Sequence, residues 1–413
     1  MSKPSIPTEF LAYAGRLLLE YNASTGAIHR ALLATANEIS TEECQVAISY
    51  NGIAVSLGME KPILLPVREL RYNSAVYVAV HQILRQVRRS EVEIKDALLH
   101  LKHIEIEYPP HSRWVAVLHL GIASAGLAAL LGGDMGSVVV AGLATAIGLI
   151  ARQALGRRHF SLLTLPFVAA FIGAFFGCLA LRLGWTDSPG LALIVPSLML
   201  IPGPHLINGL MDVVDNFLPM SLARLGLAAA ILLASTLGIV LGIEIMHFDP
   251  PAAEASAVHK LNLVSDMILA GIVTCGFAIY YNTAWRHIGM AMFGGMVGHG
   301  LRFLALQSDW RLDTATFLGG FAVGCVSAWM AQRKNTPVAI MGFAGAVTMM
   351  PGTQIYRALA GLIDIARAPN SIEIPRMKDT LGYALQSLIV VAALALGFII
   401  AMRTVWMFSG KKS

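Results

Sequence analysis

Ten stretches of this chain contain no Asp, Glu, Lys or Arg: Trp114–Gly133, Met135–Ala151, His159–Leu181, Ser188–Met211, Leu225–Ile243, Met267–Trp285, His287–Leu301, Thr314–Gln332, Asn335–Tyr356 and Thr380–Met402. A helix crosses the hydrocarbon core with about 20 apolar residues, range roughly 17–25, so the pattern predicts about ten membrane helices. His287–Leu301 is short and spans if Arg302 snorkels to the interface or its flanking residues extend the helix. A polar segment, Glu244 to Ser265, separates the first five runs from the last five. The first 113 residues have other periods. Phe10 to Ser40 shows helical spacing, with Phe10, Ala14, Leu17 and Leu18 on one face. Gln45–Val55 alternates around Asn51-Gly52, a dipeptide suited to a two-residue hairpin turn. Asn73–Arg89 and Glu91–Glu107 read as amphipathic helices, closed by Tyr108-Pro109-Pro110.

The runs also contain a repeat. Ile201-Pro202-Gly203-Pro204-His205-Leu206-Ile207-Asn208 has a counterpart 149 residues later in Met350-Pro351-Gly352-Thr353-Gln354-Ile355-Tyr356-Arg357. Each Pro-Gly lies in the fourth run of a group of five. Five is odd, so the second group enters the membrane from the opposite side. The predicted fold class is therefore an α-helical polytopic membrane protein, about ten transmembrane helices arranged as a 5+5 inverted repeat after a small α+β cytosolic domain. The expected boundaries are 1–113 for that domain, 114–243 for the first repeat, 244–265 for an extracytoplasmic connecting loop and 266–413 for the second repeat.

Proline removes a backbone donor and glycine loosens the chain, so each matched segment is expected to break inside the membrane. Broken backbone is tolerated there only where it is buried or lines a wet cavity, and paired interrupted segments point to a transport site. The substrate-binding candidates are thus Pro202, Gly203, His205 and Asn208 with Pro351, Gly352, Gln354 and Arg357. Arg357 is expected to fork onto a carboxylate, either the solute's or that of Asp212 or Asp364. Asp212, Asp266, His299 and His205 are candidates for proton coupling or ion pairing, since each can change charge between two states. His119, His287 and Glu244 read as edge or packing residues. Glycines 289, 294, 295, 298 and 300 read as close helix packing, with no cofactor loop.

Composition agrees with the pattern. Of 413 residues 56% are hydrophobic and 13% charged, with a mean hydropathy of +0.66. Soluble domains carry roughly 25% charged residues, which excludes a soluble globular enzyme. Residues 1–113 hold 12 basic and 12 acidic side chains, so the net charge of +5 belongs to the membrane part. That surplus sits in short loops and forms no basic face for nucleic acid. With the N-terminus inside, Arg152, Arg157, Arg158 and the basic C-terminus give a modest positive-inside bias; both termini are expected to be cytoplasmic. Pro4, Pro7, Glu9, Arg16 and Glu20 interrupt any secretory leader. The four cysteines, Cys44, Cys178, Cys275 and Cys325, form no metal or disulfide spacing, and His100 with His103 reads as a solvated helix face.

The whole chain resembles the threonine/serine exporter family, in which a cytosolic N-terminal part precedes ten membrane helices. The resemblance rests on Gly15-Arg16-Leu17-Leu18-Leu19, Ala23-Ser24-Thr25, Asn73 and Pro109…Trp114. In the membrane it rests on Pro202-Gly203, Asn208, Asp212, Arg224, Pro351-Gly352 and Arg357. The first part, through the fifth helix, is similar to YjjP-like proteins and the last to YjjB-like proteins, which also occur as paired chains. This chain departs from the family pattern at Asn22, Ala27 and His29. The resemblance implies proton-driven export of small amino acids across the inner (plasma) membrane; for the paired-chain relatives it implies export of a dicarboxylate such as succinate. The sequence thus supports a secondary-active exporter working by alternating access, with no cofactor or metal. Its expected partners are a small amino acid or dicarboxylate, protons and the bilayer, and homo-oligomers are left open. A passive channel would favour a continuous polar lining, and no Gly-x-Ser-x-Gly, His-Glu-x-x-His or paired aspartates support an intramembrane enzyme.

Overall fold

A computed structural model describes residues 4–248, 261–334, 336–367 and 374–408. Most of the segment expected to connect the two repeats, 249–260, lies outside these residues. The chain begins with two helices, α1 (Ile6–Glu20) and α2 (Thr25–Ile39). Ser5 caps α1 through its hydroxyl and Pro7 sits in the first turn, where its missing N–H costs nothing. The continuous helical spacing of 10–40 is interrupted at Asn22, which takes a left-handed φ of 61° and swings the chain into a four-residue turn. Asparagine tolerates that conformation better than most residues.

Strands β1 (Cys44–Ser49), β2 (Gly52–Leu57) and β3 (Ile63–Pro66) form an antiparallel sheet in that order. Ser49 pairs with Gly52, so the hairpin turn is Tyr50-Asn51, one residue earlier than expected. The reason is β3, which the alternation does not reveal. Gly52 also pairs with Pro66, and a Cβ there would stand 2.8 Å from the Leu65 carbonyl. The glycine serves close strand approach, not the turn. Helices α3 (Ser74–Arg88) and α4 (Ile94–Glu107) follow. Asn73 caps α3 through Ala75 N and Val76 N while its Nδ2 donates to Tyr108 O, tying the start of α3 to the end of α4. Phe10, Leu17, Ile28, Ile53, Val76 and Leu101 meet in one core under the sheet.

The remaining helices are predominantly apolar: α5 (Arg113–Leu130), α6 (Met135–Arg157), α7 (Thr164–Arg182), α8 (Pro189–Leu198), α9 (Gly203–Val214), α10 (Leu218–Ile245), α11 (Leu263–Tyr280), α12 (Trp285–Gln307), α13 (Leu312–Lys334), α14 (Val338–Val347), α15 (Gly352–Arg367) and α16 (Ile374–Phe408). Among the described residues, seven of these are long and apolar enough to cross a membrane, and eight if the bent pair α8–α9 counts as one span. The chain is a multi-pass membrane protein. The sequence predicts about ten spans. The difference lies in α12, long enough but carrying Arg286, His287, His299 and Arg302, and in α14–α15, which carries Gln354, Arg357 and Asp364.

Packing follows the order of the chain. α5 and α11 lie side by side, α6 and α7 extend from α5, and α12 and α13 extend from α11, while α10 covers α7 and α16 covers α13. At both of these last contacts a glycine admits a backbone. Gly238 of α10 leaves its would-be Cβ against Phe167 O of α7, and Gly397 of α16 does the same against Phe317 O of α13. Small residues that let helices approach closely are what association in lipid requires, since apolar burial alone gives no drive there.

The N-terminal core sits directly on the bundle: Met220 of α10 belongs to it and Phe217 packs against it. The α11–α12 turn docks there too. Ser74 N and Ala75 N donate to Tyr281 O and Asn282 O, Asn282 Nδ2 donates to Tyr72 O, and His111 N donates to Asn282 Oδ1. A crevice remains at this junction, and His81 of α3 lines it with Nε2 sealed from solvent and unpartnered. Burial, with Arg88 nearby, holds the His81 imidazole near pKa 4 against an ordinary 6.5. The unfolded chain therefore takes up a proton between pH 6.5 and 4 that the folded chain refuses. Stability of the N-terminal unit is expected to fall as pH drops through that window, by up to about 3 kcal/mol. Thermal unfolding of detergent-solubilised protein against pH checks this, with His81→Leu flattening the dependence.

Candidate functional site

Both Pro-Gly pairs sit where a helix stops. After α8, Leu200 N and Ile201 N donate to Ser197 O and Leu198 O, and Gly203 N donates to Ile201 O at 2.8 Å before α9 starts. After α14, Met349 N and Met350 N donate to Ala346 O and Val347 O, and Gly352 N donates to Met350 O, also at 2.8 Å, before α15 starts. The first break bends its helix pair by 63°. Proline at 202 and 351 cannot donate to the preceding turn, and the ladder is lost there in each case.

The breaks touch. A Cβ on Gly203 would collide with Val347 Cγ2, and one on Gly352 would stand 2.6 Å from Ile201 Cδ1 and 2.7 Å from Leu198 Cδ2. Each glycine thus packs against the residues just before the other break. Tyr356 of α15 donates its hydroxyl to Ser197 O at 3.0 Å, a second donor to a carbonyl that Leu200 N already uses near the end of α8, and this bond ties the crossing together.

A cavity of about 690 Å³ lies against this crossing, lined by Leu198 and Ile201 from one side and by Val347, Thr348 and Met350 to Gln354 from the other. Its ionisable side chains are Asp266, His299, Arg302 and, toward the α12–α13 turn, Asp309. The first residues of α11, the last of α12 and the first of α13 surround it, so it opens away from the end where the α11–α12 turn meets the N-terminal unit. His299 Nδ1 is 2.6 Å from Asp266 Oδ2, and Arg302 Nη1 is 3.4 Å from His299 Nε2. The three side chains share one end of the bundle because 299 and 302 are one turn apart on α12 while Asp266 is in the first turn of α11. Among the described residues Arg302 has no carboxylate within ion-pair distance, and its Nε is buried without a partner. Sequence reasoning treats Arg302 as a snorkelling residue and so misses its place in the cavity. Its one-turn spacing from His299 is the signal that could have found it.

The predicted residues divide between two places. Pro351, Gly352, Gln354, Asp266 and His299 line the cavity, and Pro202 and Gly203 form the break beside it. His205, Asn208 and Asp212 lie along α9 toward the opposite end. His205 is buried with Nδ1 unpartnered and its ring 5.8 Å from that of Tyr72. Asn208 Nδ2 donates to Asn22 O at 2.7 Å, and Asp212 accepts from Thr25 N at 2.8 Å and Thr25 Oγ1 at 2.9 Å. Arg224 of α10 stands with Nε 3.0 Å from Asp212 Oδ2, an ion pair whose N–H is not aligned for a hydrogen bond. Its two terminal nitrogens donate to Asn22 Oδ1 and Ala23 O. Arg357 lies over Tyr383 of α16, 5.4 Å from the ring centroid. It pairs with neither expected carboxylate: Asp212 is held by Arg224 and Asp364 by Arg376 at 2.6 Å. Both competing arginines lie at sequence distances that local spacing does not reach. Among the described residues no group of three or more His, Cys, Asp or Glu side chains is placed to hold a metal ion.

Comparisons with known proteins agree along the length of the chain. The family model described as a putative threonine/serine exporter matches residues 9–246, and a second, described as threonine/serine exporter ThrE, matches residues 266–403. The threonine/serine exporter of Corynebacterium glutamicum is 26% identical over 323 residues, covering 75% of this chain and 65% of that protein. The chain thus spans just under two thirds of that relative. A probable succinate transporter subunit, YjjP, of Klebsiella aerogenes is 25% identical over 231 residues, covering 55% of this chain and 88% of that protein. No solved structure matches. With the first family model alone spanning more than half of its residues, this chain belongs to the threonine/serine exporter family.

Proposed function

We propose that this exporter moves small amino acids such as threonine and serine by alternating access, driven by the proton gradient of the inner membrane. The observation that carries the reading is the contact between two helix breaks at the wall of a charged cavity. Two broken spans meeting near the middle of a bundle are the transporter solution to holding a polar solute in lipid. The matched turns at Gly203 and Gly352, and the matched glycine contacts of Gly238 and Gly397, favour a 5+5 inverted repeat in which α12 and α14–α15 also span. The N-terminal unit and both termini are then cytoplasmic, 114–243 and 266–413 are the repeats, and the cavity faces outward. The likeness to the Corynebacterium exporter supports amino acids as cargo; a dicarboxylate is the second reading, favoured by the YjjP relative.

In this reading Arg302 receives the solute's carboxylate, the free N–H and C=O groups at the breaks hold its polar ends, and the Asp266–His299 pair carries the proton. Efflux of preloaded labelled threonine, serine or succinate from vesicles, with and without a pH gradient, tests it. Saturable, gradient-stimulated threonine efflux is expected; non-saturating flux indifferent to the gradient would leave a channel. Arg302→Gln should raise the KM for threonine about tenfold or more, the loss of one charge-assisted contact. Asp266→Asn should retain exchange of labelled for unlabelled threonine while losing stimulation by the gradient.

A further inference from the structure

Asp212 and Arg224 are both fully buried, and the hydrogen bonds they make all go to one short turn, Asn22-Ala23-Ser24-Thr25, which leads from α1 into the first residue of α2. The way the turn fits is specific. It presents two carbonyl-type acceptors to the guanidinium, Asn22 Oδ1 and Ala23 O, and two donors to the carboxylate, the N–H and the hydroxyl of Thr25. A free threonine or serine carries the same set: carboxylate oxygens at one end, an ammonium and a hydroxyl at the other. Two further polar atoms of α9, one and two turns before Asp212, are buried and unpartnered: Asn208 Oδ1 and His205 Nδ1, on residues that are 0% and 4% exposed. The turn's one spare donor, Asn22 Nδ2, is itself buried without a partner and bonds neither of them. An ammonium has three N–H groups and is able to reach an acceptor that the single Thr25 N–H leaves empty.

There is also a way in. Ser24, inside the turn, together with Met211 of α9 and Asp215 just past its end, forms part of the wall of the roughly 610 Å³ crevice between the N-terminal unit and the bundle. Asp215 is bridged there by Arg30 and Arg403. The turn therefore stands between that crevice and the Asp212–Arg224 pair.

We propose that Asp212 and Arg224 are the inner loading site for a zwitterionic amino acid, and that the Asn22–Thr25 turn occupies it as a built-in substrate mimic that cargo displaces. This rests on the exporter reading above and deepens it by naming where selection occurs. A dicarboxylate satisfies Arg224 but brings no donor for Asp212, so the pair selects amino acids over succinate-like solutes. Cargo that displaces the turn frees α2 from α9, and filling the site is thereby linked to movement of the N-terminal unit.

The test uses the full-length protein in proteoliposomes with threonine on the side of the N-terminal unit. Saturable threonine efflux by the wild type comes first, since its absence would defeat the exporter reading and not this one. With that in hand, Asn22→Ala combined with Thr25→Val weakens the mimic and leaves Asp212 and Arg224 in place. Apparent KM for threonine on that side should fall about threefold or more, because a larger fraction of sites stands open. An unchanged or raised KM in the assembled variant means the turn is an inter-domain clamp only, and the proposal fails. Ser24→Cys gives a second readout independent of that variant's folding. Maleimide labelling of the introduced thiol, followed on its own peptide, should accelerate with added threonine and not with succinate. Labelling that threonine leaves unchanged or slows, or that succinate accelerates equally, overturns it.

Discussion

Arg224→Met is expected to be among the most destabilising single substitutions in this protein. The guanidinium is entirely enclosed, so its removal leaves the Asp212 carboxylate buried with only the two Thr25 donors, and strips Asn22 Oδ1 and Ala23 O of their partner. Breaking a buried pair from one side typically costs about 3–5 kcal/mol, because the remaining charge has been taken out of water without compensation. Those same contacts join the N-terminal unit to α9 and α10, so the loss appears first as detachment of that unit. Limited proteolysis near His111–Arg113 and the thermal midpoint in detergent are the measurements. Adding Asp212→Leu to Arg224→Met removes the stranded charge and should recover most of the midpoint. A double variant no better than the single one would show that the cost lies in the turn contacts instead of the charge.

The second large effect is expected at the crossing of the breaks. Gly203→Ala places a methyl against Val347 Cγ2, whose branched side chain has few rotamers with which to retreat. Overpacking of this kind costs about 1–3 kcal/mol, which the bundle survives, but the relief has to come from separating α9 and α14. A shift of about 1 Å at a site that positions a solute is enough to lower turnover on the order of 100-fold. Gly352→Ala meets the terminal carbons of Ile201 and Leu198, which yield more readily, so its loss of transport should be smaller. Initial rates of threonine efflux at matched protein levels distinguish the two. Equal and full activity in both variants would separate the crossing from the transport route.

Much of the architecture is legible in the order of residues. A run of apolar residues long enough to span lipid has few alternatives to a helix, because backbone groups in hydrocarbon must be satisfied within the segment. A Pro-Gly pair in such a run interrupts the ladder whatever surrounds it. The charge balance of residues 1–113 marks the N-terminal unit for the same kind of local reason. Local signals mislead where distant partners compete with them. Asn51-Gly52 suggests a turn, but Gly52 is needed against β3. Arg357 suggests an ion pair with Asp212 or Asp364, yet Arg224 and Arg376 take those two carboxylates.

Chain chemistry alone marks most of the apolar segments as helices and fixes where two of them lose their backbone ladder. These are consequences that act within about one helical turn. It takes the folded bundle to make the breaks face each other, to join Arg302 to Asp266 and His299 at the cavity, and to bring Asn208, Asp212 and Arg224 against a turn far earlier in the chain. Which charges meet depends on how whole helices rotate and cross. That is set by packing of small residues summed over the bundle, and no local pattern encodes it.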